Sequence, residues 1–211
     1  MFDKKFVHHF SVFLIWLFSI SGILGILNED YTDWFLSKTP LNLLLTFVIL
    51  VINIENLKPK IIVALSIPFF IGFVTEALGV NYGLIFGNYA YGENLGYKVF
   101  GVPLIICVNW SLLTAVTADV AKLISKNRIF SSIIGGALMT ILDLILEVSA
   151  PRFDFWEFEG AAVPLQNYIG WLITAFGAHL GYQYFKVKTN ISISWHILIS
   201  ITIFFSVFLF Y

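Results

Sequence analysis

Glu76–Trp110, EALGVNYGLIFGNYAYGENLGYKVFGVPLIICVNW, interrupts a chain that is otherwise mostly Leu, Ile, Val and Phe. A carboxylate stands at the end of one apolar run. Glycines at 79, 83, 87, 92, 96 and 101 follow, interleaved with Tyr82, Tyr89, Tyr91 and Tyr97. Gly101-Val102-Pro103 then opens a second apolar run that carries Asn109 and Trp110. Glycine gives up side-chain packing for tight turns and close backbone approach, so this connection reads as a shaped loop between two helices. A second stretch, Asp143 to Trp171, has the same character. The rest of the chain reads as a hydrophobic frame that brings the two together.

Of 211 residues, 59% are hydrophobic and 12% charged, and the mean hydropathy is +0.88. Soluble domains carry about a quarter charged residues, so this composition belongs to a bilayer. A net charge of −1 without a basic tract argues against a nucleic-acid partner. The single cysteine, Cys107, lies in an apolar run and reads as a small buried hydrophobe. Lys4 and Lys5 precede an apolar run, 7–27, that is too long for a signal core and lacks a small-residue cleavage site. It is expected as a retained first helix.

The pattern predicts an all-α polytopic membrane protein, one domain over 1–211, with seven transmembrane helices near 7–27, 41–57, 61–78, 103–124, 129–148, 167–185 and 191–210. Spanning segments are helical because lipid offers backbone groups no partners. Lys58-Pro59-Lys60 is the turn of a tight hairpin between the second and third. Seven spans put nine Lys and Arg residues on one side and only Lys38, Lys98 and Arg152 on the other. That asymmetry makes the N-terminus cytoplasmic and the C-terminus external. Both unusual loops, 79–102 and 149–166, then lie at the outer face with the carboxyls of Glu76, Asp143 and Glu147. No internal repeat is evident.

Asp143 and Glu147 are four residues apart and share a helical face. Carboxyls inside a span usually face a cavity or a partner. Two so close are not expected to be ionised together, which leaves one carboxylic acid at neutral pH. Glu76 adds a third at similar depth. The competing reading has these acids at the interface, paired with Arg152 or Lys98. Asp119 beside Lys122, and Glu55 beside Lys58, are explained by local ion pairs. Four histidines, His8, His9, His179 and His196, are too few and too scattered for a membrane di-iron centre, so no metal is expected. His179 reads as a satisfied core histidine. The last span has no lysine for a retinal Schiff base, and Gly79-x-x-x-Gly83-x-x-x-Gly87 has neither the spacing nor the lysine of a phosphate loop. Trp16, Trp34 and Trp195 suit an interfacial belt. Tyr82, Tyr89, Tyr91, Trp110, Trp156, Tyr168 and Trp171 are interleaved with the carboxyls and asparagines. They suit either that belt or a site whose ring faces stabilise a cation.

Glu76-x-x-Gly79-Val80-x-x-Gly83-x-x-Phe86-Gly87-x-Tyr89-x-Tyr91, Leu95-Gly96 and Gly101-Val102-Pro103-Leu104 before Asn109-Trp110 form one block. Asp143-x-x-Leu146-Glu147, Ala150-Pro151, Phe155-Trp156 and Val163-Pro164-Leu165-x-Asn167-Tyr168-x-Gly170-Trp171 form another. Together, over about a third of the chain, they resemble the membrane carotenoid biosynthesis family of carotenoid 1,2-hydratases, of γ-carotene and bisanhydrobacterioruberin type. Val148 after Glu147, and Phe158 in place of a second tryptophan, depart from the pattern common there. The resemblance implies cofactor-independent addition of water to the C1=C2 bond of an acyclic carotenoid end. Asp143 or Glu147 would be the acid, and the other, or Glu76, would position and deprotonate the water. Asn109 and Asn167 would orient that water, and the Tyr and Trp set would shield a tertiary cation. The implied partners are an acyclic or monocyclic C40 carotenoid, the lipid bilayer and other enzymes of the carotenoid pathway, in a bacterial inner (plasma) membrane. A carotenoid cyclase, which excludes water after the same protonation, and a non-catalytic carotenoid or lipid binder are the alternatives.

Overall fold

Each of the seven apolar runs contains a helix in the computed structural model, which describes residues 3–55 and 58–211. In chain order the elements are α1 (Lys4–Ile26), α2 (Thr32–Leu36), α3 (Thr39–Ile52), α4 (Pro59–Tyr82), β1 (Tyr89–Tyr91), β2 (Lys98–Val99) and β3 (Val102–Pro103). They continue with α5 (Leu104–Ile124), α6 (Arg128–Leu146), β4 (Trp156–Phe158), α7 (Leu165–Tyr184) and α8 (Ile191–Val207). The protein is mostly helical. Helix α5 is the axis of the bundle, buried at every position from Trp110 to Ala121. A helix that is apolar all round has to be surrounded. Accordingly α3, α4, α6, α7 and α8 all pack against α5, while α1 lies outside against α8.

Among the described residues, four helices, α1, α4, α5 and α6, are long and apolar enough to cross a membrane. Their outer faces stay apolar, as with Phe6, Phe10, Phe13, Leu17, Ile20 and Leu24 along α1. Such stripes are foreign to a water-exposed surface and belong to membrane helices. Helices α3 and α8, with 14 and 17 residues, are shorter.

The second run, expected over 41–57, is helical only from Thr39 to Ile52. Asn53 ends it by donating its side-chain amide to the Ile49 carbonyl (2.9 Å) and to Ser11 Oγ (2.8 Å). Positions 56 and 57 of that expected span lie outside the described residues. The third helix is longer than expected. Pro59 suits its first turn, and Gly83, at φ +65°, closes it in the left-handed conformation that favours glycine.

The all-α expectation needs a further correction in the loops, where two short antiparallel ladders form, β1 with β4 and β2 with β3. Backbone groups packed under aromatic side chains require partners, and each loop finds them in a strand. The expected ion pairs also fail. Asp119 accepts instead from Ser194 Oγ (2.6 Å) and from the Thr189 hydroxyl, while the Lys122 ammonium lies over the Tyr182 ring. Among the described residues the one ion pair is Lys98 with Glu93, at 2.9 Å, so Glu55 has no such partner.

Candidate active site

Glu76 lies on the face of α4 that also carries Gly72 and Gly79, four residues before it and three after. Those glycines make room. A Cβ on Gly72 would stand 2.4 Å from Trp110 Cδ1, and one on Gly79 would stand 2.9 Å from the Tyr89 hydroxyl. The bare backbone therefore lets an indole and a phenol reach the carboxyl between them. Trp110 Nε1 donates to Glu76 Oε1 (2.9 Å), and the hydroxyls of Tyr89 and Tyr91 (2.8 Å) both donate to Oε2. Burial, reinforced by the Glu76 carboxylate, pushes both tyrosines above their ordinary range, so their hydroxyls stay donors.

The β1–β4 ladder connects this carboxyl to the other two. Its register is Tyr89 with Phe158, Ala90 with Glu157 and Tyr91 with Trp156. Side chains alternate along a strand, so Tyr89, Tyr91, Trp156 and Phe158 share one face, toward the bundle, and the exposed Ala90 and Glu157 take the other. Bonds flanking the ladder hold the two loops together. Gly92 N–H donates to the Phe155 carbonyl (2.9 Å), and Asn94 donates to the Phe153 carbonyl (2.9 Å). From the ladder, Trp156 Nε1 donates to Glu147 Oε2 (3.0 Å).

Asp143 and Glu147 stand one turn apart at the end of α6, and Asn167 bridges them from the start of α7. Its amide nitrogen donates to Asp143 Oδ2 (2.9 Å) and to Glu147 Oε1 (3.0 Å). Counting oxygens, five of the six in the three carboxyls accept from an N–H or O–H donor. The sixth, Asp143 Oδ1, is buried and has no partner. The competing interfacial pairing does not occur: Arg152 donates to the Phe208 carbonyl and Lys98 pairs with Glu93.

All three carboxyls line one cavity of about 130 Å³, together with Tyr89, Tyr91, Asn109, Trp110, Trp156, Asn167 and Trp171. Trp110 and Trp171 stack there at 4.5 Å, and Phe86 packs against both. Phe86 is presented by a turn in which Ile85 takes φ +68°, an uncommon conformation for a β-branched residue. Two expected residues stand apart: Tyr82 is 73% exposed beyond the end of the cavity wall, and Tyr168, half-buried, is not in the lining. His179 is a satisfied core histidine, held by Thr117 (2.9 Å) and the Ala175 carbonyl (2.7 Å). Among the described residues, no group of three His, Cys, Asp or Glu side chains is arranged to hold a metal ion.

Another part of the cavity lining was not anticipated. Thr39, Asn42 and Thr46 line it from α3, and Ser19 from α1. The signal was present in the sequence, since polar residues at spacings of three and four mark one face of an otherwise Leu-rich helix.

A sequence model described as carotenoid biosynthesis protein matches residues 38–211. The chain belongs to the carotenoid biosynthesis protein family. For this family member, the matched region holds the three carboxyls, the ladder and the polar face of α3, and it leaves out α1. A bisanhydrobacterioruberin hydratase of Haloarcula japonica is similar, 29% identical over 120 residues. That similarity spans 52% of this carotenoid biosynthesis family chain and 40% of the archaeal protein. No solved structure matches.

Proposed function

We propose that this protein is a carotenoid 1,2-hydratase, adding water across the C1=C2 bond of an acyclic carotenoid end. One observation carries the reading. Asp143, which lines the aromatic cavity, has a buried carboxyl oxygen without a hydrogen-bond partner, Oδ1, while every neighbouring carboxyl oxygen is occupied by a donor. A proton shared by the Asp143–Glu147 pair has its place on that oxygen, from which it can pass to an alkene carbon. The family and the hydratase name of the archaeal relative supply the substrate class.

In this reading Asp143 protonates C2 and leaves a tertiary cation at C1. The Trp110–Trp171 stack and Tyr91 present π faces to that cation, and Glu76, fixed by three donors, presents negative charge. Asn167 and Trp156 are positioning residues, holding the carboxyl pair in register. Water attacks C1, and its proton returns to the pair, so the addition is redox-neutral and requires no cofactor. The body of a C40 polyene, about as long as a bilayer is thick, remains among the helices. The proposed setting is a plasma membrane, with one domain over 1–211, seven spans, a cytoplasmic N-terminus and an external C-terminus.

The test is expression in cells that accumulate lycopene or γ-carotene, followed by mass analysis of the pigments. A product heavier by one water supports hydration. An isomer of unchanged mass but altered absorption turns the reading to cyclisation, and unaltered pigment from both strains refutes action on these ends.

A further inference from the structure

A hydratase site embedded in apolar helices has to hold a water beside a cation that would otherwise lose a proton. Asn167 has only its amide oxygen left for this, because its amide nitrogen is committed to Asp143 and Glu147. The tyrosines and tryptophans that donate in the cavity are committed to carboxylates. Of the serine and threonine hydroxyls in the lining, Thr46 is spent on the Asn42 carbonyl (2.8 Å), Ser200 on the Ile197 carbonyl (2.9 Å) and Ser19 on the Ser200 carbonyl (3.4 Å), while Thr39, in the first turn of α3, has no side-chain partner among the described residues. Among the described residues, the side-chain amides of Asn42 and Asn109 line the cavity without a hydrogen-bond partner. They stand on α3 and α5, helices packed against each other, and both are half-buried.

A buried water requires two to four polar partners and about 10–15 Å³ of accessible space. Two amides bring several unused donors and acceptors, and the cavity has room to spare. An amide is costly in a helix that reads Leu41-Asn42-Leu43-Leu44-Leu45, unless its face meets something polar. We propose that Asn42 and Asn109 hold the attacking water, and that Asn42 decides whether the cation is hydrated or loses a proton. This rests on the hydratase reading above.

The two outcomes share their first step. Asp143 gives its proton to C2, the π pair becomes the new C2–H bond, and C1 is left cationic. With water on the two amides, an oxygen lone pair forms the C1–O bond and the departing water proton restores the carboxyl pair. Without it, a C–H bond beside C1 releases its electron pair to re-form an alkene, and that proton restores the same pair.

The experiment is turnover of a ψ-end carotenoid by the full-length protein in D₂O, with Asn42→Leu and Asn109→Leu beside the parent. The readout is the ratio of hydrated pigment to unhydrated pigment carrying deuterium. Leucine matches the neighbours of Asn42, and Asn42→Ser supplies a second, smaller polar variant. The ratio is expected to fall about tenfold in Asn42→Leu, as for loss of one ordered-water contact, while deuterium still enters the pigment, with Asn42→Ser in between. An unchanged ratio in both leucine variants, or an equal loss of both products, overturns the proposal while the parent still hydrates. A parent that forms no hydrated pigment defeats the hydratase reading itself.

Discussion

Replacing Asp143 by asparagine separates the proton from the architecture around it. Asp143 Oδ2 accepts from Asn167, an acceptance that an asparagine oxygen preserves. The new amide nitrogen takes the place of Oδ1, which has no donor against it, so the exchange creates no clash of donors. On the proposed mechanism, what disappears is the transferable proton. General acid catalysis contributes about 10²–10⁴-fold, so turnover should fall by that factor, equivalent to about 3–5 kcal/mol in the barrier. Glu147→Gln behaves differently. Glu147 receives an N–H on each oxygen, from Asn167 and from Trp156, and a glutamine has to turn its own N–H₂ toward one of them. Leaving a donor against a donor costs about 1–3 kcal/mol of stability. Pigment conversion and thermal midpoints of the detergent-solubilised protein measure both effects. The reasoning is refuted if Asp143→Asn stays within about threefold of the parent, or melts as low as Glu147→Gln.

Gly72→Ala should push the Trp110 indole off Glu76, because the added methyl would stand 2.4 Å from Cδ1. Conversion should drop by about tenfold or more, and the indole fluorescence should shift. At the other end of α5, Asp119→Leu strands the Ser194 and Thr189 hydroxyls without their acceptor and should cost about 2 kcal/mol of stability. Turnover per folded molecule should be unchanged, as single-turnover pigment assays would show.

Helices and membrane character were legible because they are properties of runs: a long apolar stretch has few other ways to satisfy its backbone in lipid. The three carboxyls were legible for a related reason, since a carboxyl in such a run is too costly to be incidental. Local ion pairing was the wrong reading for Asp119, and spacing alone cannot detect the alternative. Its partners, Ser194 and Thr189, come from about seventy residues further along the chain. Tyr82 and Tyr89 look alike in the sequence, but one is turned outward by the end of α4 and the other inward by strand alternation.

The sequence by itself determined that this is a helical membrane chain with two special loops and a small set of acids and aromatics, because hydropathy and residue chemistry are local. Only the tertiary structure decided which oxygen carries a donor and which does not. The β1–β4 register aims Tyr89 and Tyr91 at Glu76 and Trp156 at Glu147, and the α6–α7 contact commits Asn167 to the pair. Those are contacts between residues far apart in the chain, and hydrogen-bond occupancy exists only once packing has brought donors and acceptors within reach.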